Sequence, residues 1–304
     1  MLNDLATVDW AALSAADVPH LLRAVAGGDR DALGELSSRL CPGGVPGDAA
    51  AAAVPFLIRL LDAPAAGPHG VLVLLTAVAD AHAQRSGTGP RPTRARIAGQ
   101  RAPVAAARAA VTAGLPSYLR LLAAHPDDDV RVAAATLVGA LGPEVAGGAS
   151  AGLRTASVTD RAELVRAAAV LALGARAETA DDRLADPAPV VRLAAALVLA
   201  GSDAEAPLPG PVVQIVERDA PAALGRIPLL PSSDDDPLIW VLRALRPRGD
   251  LQVRLVTGWL RHPDAAVRAG AAYAAGEPLT TWPPAAALLA GPLAEASGDP
   301  AGPR

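Results

Sequence analysis

Cysteine, lysine and aromatic residues are nearly missing from this chain of 304 residues. A single cysteine, Cys41, excludes a disulfide framework and a multi-thiolate metal site. It sits in the turn-like stretch Leu40-Cys41-Pro42-Gly43-Gly44, and no His/Asn constellation marks it as a nucleophile. All 27 cationic side chains are arginine, and against 31 Asp and Glu they leave a net charge of −4 and a pI near 5.7. That balance argues against general affinity for nucleic acid or an anionic membrane. With Ala, Gly and Pro abundant, the absence of lysine reads as coding bias from a GC-rich genome. Aromatics are only 2% while hydrophobic residues are 51%, so the core must be built from Ala, Leu and Val. The longest apolar stretches, such as Val71 to Ala79, fall well short of the ~20 residues that span a bilayer. The start, Met1-Leu2-Asn3-Asp4, has no basic region ahead of an apolar one, so a signal peptide is not expected and a cytoplasmic protein is.

What the chain does have is repetition. Val18-Pro19-His20-Leu21-Leu22-Arg23 returns as Val54-Pro55-Phe56-Leu57-Ile58-Arg59 and as Leu115-Pro116-Ser117-Tyr118-Leu119-Arg120. A second pattern places Pro four residues before a Val-Arg pair: Pro126 before Val130-Arg131, Pro187 before Val191-Arg192, Pro263 before Val267-Arg268. A fourth copy, Val165-Arg166, has Arg161 in the proline's place. Repeats at this interval announce stacked helical hairpins.

The two patterns serve as the two helices of one hairpin. Pro is expected at the helix start, where its missing N–H is harmless. Before the Val-Arg helix, Asp127 to Asp129 or Asp264 cap free N–H groups and sit at the positive end of the dipole. Val130, Ala133, Ala134, Leu137 and Leu141 trace a buried helix face, closed by Gly142-Pro143. The Pro-led pattern recurs after 36 and then 61 residues, the Val-Arg pair after 35, 26 and 76. The long Pro-led gap holds Gln84 to Pro103, read as an inserted Gly/Pro/Arg loop carrying Arg85, Arg91, Arg94, Arg96 and Arg101. From Gly201 to Pro237 the many prolines allow only short helices, and a disordered tail is expected over 294–304.

Pro-x-x-x-Val-Arg-x-x-Ala-Ala resembles the core of HEAT repeats, and more loosely the short HEAT-like repeats of the phycobilisome-lyase type. Asp9-Trp10-Ala11-Ala12-Leu13, Asp17-Val18-Pro19 and Ala52-Ala53-Val54-Pro55-Phe56-Leu57 resemble a group of actinobacterial HEAT-repeat proteins. That group's His-Gln-Gly-Thr-Val-Tyr-like segment is replaced here by Pro42 to Asp48, so no activity tied to it is expected. The resemblance implies an all-α fold: a single right-handed α-solenoid of about six to seven HEAT-like hairpins over residues 1–293. It also implies a concave face lined by the Pro-led helices, with Arg23, Arg59 and Arg120 as candidate binding residues.

The Val-Arg arginines (Arg131, Arg166, Arg192, Arg268) are expected to be structural, pairing with Asp turns and carbonyls of adjacent repeats. His125 and His262 stand at equivalent turn positions and read as repeat signature. His69 and His82 are off ligand spacing, no HExxH occurs, and neither a metal site nor a cofactor is expected. Asp234, Asp235 and Asp236 before Pro237 read as a helix start without the alternation of a calcium loop. With Trp240 they also imitate the Trp/Asp groove of HEAT-like alkylpurine DNA glycosylases. The acidic balance weighs against that enzyme. No catalytic constellation is present. The sequence therefore favours a non-enzymatic scaffold or adaptor that binds another protein or an acidic peptide. An enzyme on a HEAT scaffold, glycosylase or small-molecule lyase, is the alternative. Partner identity and oligomeric state leave no trace in the sequence.

Overall fold

Alanine-rich runs with acidic or proline starts become helices here, and among the described residues every regular element is helical. The computed structural model describes residues 2–79, 101–145, 148–202, 207–222, 237–246 and 248–298. The chain divides into two units, Met1–Ala156 and Ser157–Arg304.

The first unit opens with a 3-10 turn, Asn3–Thr7. Trp10 is buried beside it, donates its indole N–H to the Leu5 carbonyl (2.8 Å) and stacks obliquely on Phe56, centroids 6.0 Å apart. Next come α1 (Val18–Ala26), α2 (Arg30–Leu40), α3 (Asp48–Leu60) and α4 (Pro68–Ala79). After them run α5 (Arg101–Ala113), α6 (Leu115–Ala124) and α7 (Asp128–Ala140), and α8 (Ala149–Thr159) spans the division between units. The α1–α2 turn needs Gly28, whose φ is +93° and whose Cβ position lies 2.9 Å from the Ala65 carbonyl oxygen. α1 packs on α2 and α3, α3 on α5, α4 on α5 and α7, and α6 on α7. The face expected for α7 is the buried one: Val130, Ala133, Ala134, Leu137 and Leu141 are all at most 4% exposed. Gly142 follows with φ +80° and stops the helix as expected.

Two expectations need correction in this unit. Pro19 and Pro116 lie in the first turn of α1 and α6, but Pro55 lies inside α3, which begins seven residues earlier at Asp48. The alanines from Ala49 to Ala53 extend the helix upstream, and α3 buries enough apolar surface to offset the lost N–H. The insert also ends sooner than expected, because α5 already begins at Arg101, with Pro103 accommodated in its first turn. Residues 80–100 lie outside the described residues, with Arg85, Arg91, Arg94 and Arg96 among them.

The second unit holds α9 (Glu163–Ala175), a 3-10 turn at Asp181–Ala185, α10 (Pro189–Ser202) and α11 (Gly210–Ala222). It continues with α12 (Pro237–Ala244), α13 (Gly249–Leu260), α14 (Ala265–Ala274), α15 (Gly276–Thr281) and α16 (Ala285–Gly298). α10 packs between α9 and α11, while α13 gathers α14 and α16. α11 runs 13 residues through a region expected to hold only short helices. Pro211 is in the first turn, where a helix tolerates it, while Pro221 lies inside the last turn at the expense of one backbone bond. Pro221 cannot donate to the Glu217 carbonyl, and the buried Trp259 indole N–H points at that oxygen instead (3.4 Å). Residues 294–298, expected to be disordered, are helical as the end of α16. Arg261 pairs with Glu295 (3.3 Å) in that last stretch, while residues 299–304 lie outside the described residues.

Candidate functional site: the arginine clasps and their cleft

The Val-Arg pairs build one local device four times. In each, Nη1 of the arginine reaches back to the carbonyls six and five residues earlier, in the turn before its own helix. Arg131 bonds His125 (2.7 Å) and Pro126 (3.3 Å), and Arg166 bonds Asp160 (3.0 Å) and Arg161 (3.4 Å). Arg192 bonds Asp186 (2.9 Å) and Pro187 (2.8 Å), and Arg268 bonds His262 and Pro263 (both 2.9 Å). The clasp uses backbone oxygens only, so the copy with Arg161 in place of proline works unchanged.

The residue offering the first carbonyl also locks the turn with its side chain, which accepts the N–H two residues on. His125 Nδ1 accepts from Asp127 (3.2 Å) and His262 Nδ1 from Asp264 (3.1 Å). Asp160 Oδ1 accepts from Ala162 (2.8 Å) and Asp186 Oδ1 from Ala188 (2.9 Å). Histidine and aspartate therefore do the same job at this position, which is the repeat-signature role expected of the two histidines. An accepting Nδ1 places the ring proton on Nε2.

Two clasps in the second unit also reach forward along the chain. Arg166 grips Asp186 with both prongs, Nε to Oδ2 (3.1 Å) and Nη2 to Oδ1 (3.0 Å). Arg192 bonds Asp219 through Nε alone (2.8 Å), because Asp219 also takes a two-pronged grip from Arg218 (2.6 and 3.0 Å). This is the structural ladder expected of Arg192, with a carboxylate ahead of it and carbonyls behind. Asp186 could have been anticipated as a partner, since it fills the position that histidine holds in two other copies. Asp219 and Arg218 carried no such signal.

Asp186 and Asp219 are buried, and burial pushes both carboxyls up. The bonds from Arg166 and Ala188 to Asp186, and from Arg218 and Arg192 to Asp219, together with those charges, outweigh it and hold both below the usual carboxylate range. A carboxyl lowered on folding stabilises the protein fully above its unfolded value of about 3.9, and that contribution is lost as pH falls through the lower folded value. Thermal melts between about pH 3 and 7 should therefore show a falling midpoint at the acid end. An Asp219→Asn variant should start lower at neutral pH and fall less steeply. A parallel fall in variant and wild type would contradict this.

Beside these two carboxylates lies an open cleft of about 520 Å³. One wall is a stripe of α11 at i, i+3, i+4 and i+7: Pro211, Gln214, Ile215 and Arg218. The other is formed by the 3-10 turn and the segment leading into α10, with Leu184 and Pro187, and Arg192 at the base.

The sequence candidates of the first unit stand elsewhere. Arg59 bonds Asp4 (2.9 Å) and lies over the Phe56 ring, 4.6 Å from its centroid. The Arg59 guanidinium holds the Asp4 carboxyl below the usual carboxylate range. Arg120 pairs with Asp62 (2.6 Å), three residues beyond Arg59. Arg23 is exposed and reaches only its own helix, at the Pro19 carbonyl (3.4 Å). In the second unit Trp240 is half-buried on α12, and Asp234, Asp235 and Asp236 lie outside the described residues. Trp259 is core and Trp282 packs over Gly249. Cys41 is buried, which pushes its thiol up to about 11 and leaves it a poor nucleophile at neutral pH. Among the described residues no group of His, Cys, Asp and Glu is placed to hold a metal ion, and no helix is long and apolar enough to cross a membrane. No protein-family model and no curated protein matches this chain.

Proposed function

We propose that this chain is a HEAT-like repeat protein, a right-handed solenoid of helical hairpins acting in the cytoplasm as a scaffold or adaptor for another protein or peptide. The observation that carries the reading is the fourfold clasp, in which arginine bonds the same two carbonyls and a side chain locks the same turn. A device repeated with that fidelity belongs to a repeat unit. It also ties up the buried carboxylates of Asp186 and Asp219. The Asp219 carboxylate, the most deeply buried of them, already holds two arginines.

Arg23, Arg59 and Arg120 are the proposed contacts for an acidic partner. Arg59 and Arg120 engage carboxylates in exposed pairs, which contribute little to stability and are open to exchange. A partner carboxylate can replace Asp4 or Asp62 without unfolding anything.

Selection from a displayed peptide library tests the reading. Acidic peptides should be enriched, and Arg59→Glu with Arg120→Glu should weaken the winners at least about tenfold while melting hardly moves. Binding should also weaken steeply with salt. The proposal fails if nothing is enriched, or if reversing these two charges and Arg23 leaves the winners bound.

A further inference from the structure

The four clasps are not electrically alike. Around Arg166 the charges balance, one guanidinium in a two-pronged grip on one carboxylate, Asp186. Around Asp219 they do not, because Arg192 and Arg218 share that single carboxylate. Asp219 Oδ2 accepts from both arginines and Oδ1 from Arg218 Nε. That leaves one positive charge in excess, and donors unused. Arg192 Nη2 and Arg218 Nη1 have no hydrogen-bond partner among the described residues.

Those two guanidiniums line the cleft between α11 and the Asp181–Ala185 turn. Asp186 lines it as well but brings no free charge, since Arg166 and the Ala188 N–H already hold its oxygens. Of the two acidic groups on the adjoining turn, Asp182 is paired with Arg183 at 2.7 Å, and Asp181 is exposed and does not line the cleft. Gln214 stands one helical turn before Arg218 on the same stripe and is exposed, with both amide donors and its oxygen available for a backbone. Leu184, Pro187 and Ile215 supply a smaller apolar part of the lining. The cleft measures about 520 Å³ and is open to solvent.

We propose that this cleft is a second binding site, which takes the carboxylate of a peptide with an apolar residue beside it. Arg192 and Arg218 hold the carboxylate, Gln214 bonds the adjoining peptide group, and Leu184, Pro187 and Ile215 take the neighbouring side chain. A planar carboxylate suits guanidinium forks, and a single negative charge cancels the excess. The inference rests on the peptide-binding reading above and adds a site in a different unit, built from different residues. The carboxylate comes either from a glutamate side chain or from a chain end, and both sources present the same group.

The test uses the full chain and two pairs of probes followed by backbone amide NMR. The first pair is N-acetyl-leucyl-glutamyl-leucinamide and its glutamine counterpart. The second is N-acetyl-leucyl-leucine with a free carboxylate and the same dipeptide amidated. At least one carboxylate probe should shift the Gln214, Ile215 and Arg218 signals saturably, and its uncharged counterpart should bind at least about tenfold more weakly. Which pair responds identifies the source. Arg218→Ala, at an exposed position, and Gln214→Glu, which places a carboxylate in the mouth, should each weaken binding by about the same factor. Gln214→Glu should melt like the wild type, which separates lost binding from lost folding. The proposal is overturned if no carboxylate probe moves these signals, or if both variants bind as the wild type does. Shifts confined to Arg23, Arg59 and Arg120 would remove this site while leaving the peptide-binding function in place. Shifts confined to the cleft would remove the arginine contacts of the first unit instead.

Discussion

Replacing Arg166 by alanine is expected to lower the unfolding free energy by about 3–5 kcal/mol, the largest loss from any single clasp. The reason lies in what the substitution leaves behind. The Arg166 and Asp186 side chains are only 13% and 4% exposed, so solvent cannot take the arginine's place. Asp186 would keep one bond, from the Ala188 N–H, and lose both prongs of the guanidinium. The carbonyls of Asp160 and Arg161 would lose the guanidinium's bonds in the same stroke. Arg192→Ala should cost less, about 1–3 kcal/mol, because Asp219 keeps both bonds from Arg218. Urea unfolding of the two variants measures the order directly. Adding Asp186→Asn to Arg166→Ala should recover part of the loss, since an uncompensated buried charge is the main penalty. Equal losses for Arg166→Ala and Arg192→Ala would mean that the carboxylates contribute little and the carbonyl bonds carry the clasp.

The backward half of each clasp is legible in the sequence; of the forward half only Asp186 is, by its place in the next Asp turn. One carbonyl is that of the proline in Pro-x-x-x-Val-Arg and the other belongs to the residue just ahead of it, so the motif places both. The carboxylates lie 20 and 27 residues ahead of Arg166 and Arg192, beyond connections of different length. No fixed spacing exists to find them by. Asp219 sits in the run Glu217-Arg218-Asp219, where nothing in the local pattern separates the buried acid from the exposed arginine beside it.

Helix boundaries go astray where proline alone serves as the start signal. Pro19 and Pro116 behave that way, but Pro55 has helix-forming alanine on its N-terminal side, and α3 runs through it. Propensity upstream and burial on both sides outweigh one missing bond. The same alanine richness carries α5 back to Arg101 and α16 forward to Gly298. The pattern places Arg23, Arg59 and Arg120 on their helices correctly. Their pairing with Asp4 and Asp62 is not legible, because exposed ion pairs between distant segments have no sequence period.

A second large loss is expected at Gly114, where α5 and α6 meet. The glycine's own backbone is ordinary, φ −80° and ψ −2°, so alanine is refused for lack of space and not for its conformation. Tyr118, fully buried, folds back over the junction and donates its hydroxyl to the Val111 carbonyl (2.9 Å). The Gly114 N–H bonds that same oxygen (2.9 Å), so one carbonyl holds both sides of the break. A Cβ at residue 114 would overlap the Tyr118 hydroxyl and its ring carbon Cζ (2.6 Å), with Ile58 Cδ1 of α3 closing the space at 2.7 Å. The tyrosine cannot retreat easily, since its ring is fully buried and its hydroxyl is bonded, whereas the half-buried Ile58 methyl can swing aside. Gly114→Ala should therefore cost about 2–4 kcal/mol, overpacking plus the displaced hydroxyl bond. Tyr118→Phe, which removes only the hydroxyl, should cost about 1 kcal/mol. In the double variant the alanine gains the room the hydroxyl left, so the two losses should sum to more than the measured one. Urea unfolding of the three variants decides it, with amide exchange at Val111 to Leu122 reporting whether the junction loosens. Strict additivity would show that the hydroxyl is not what keeps the alanine out.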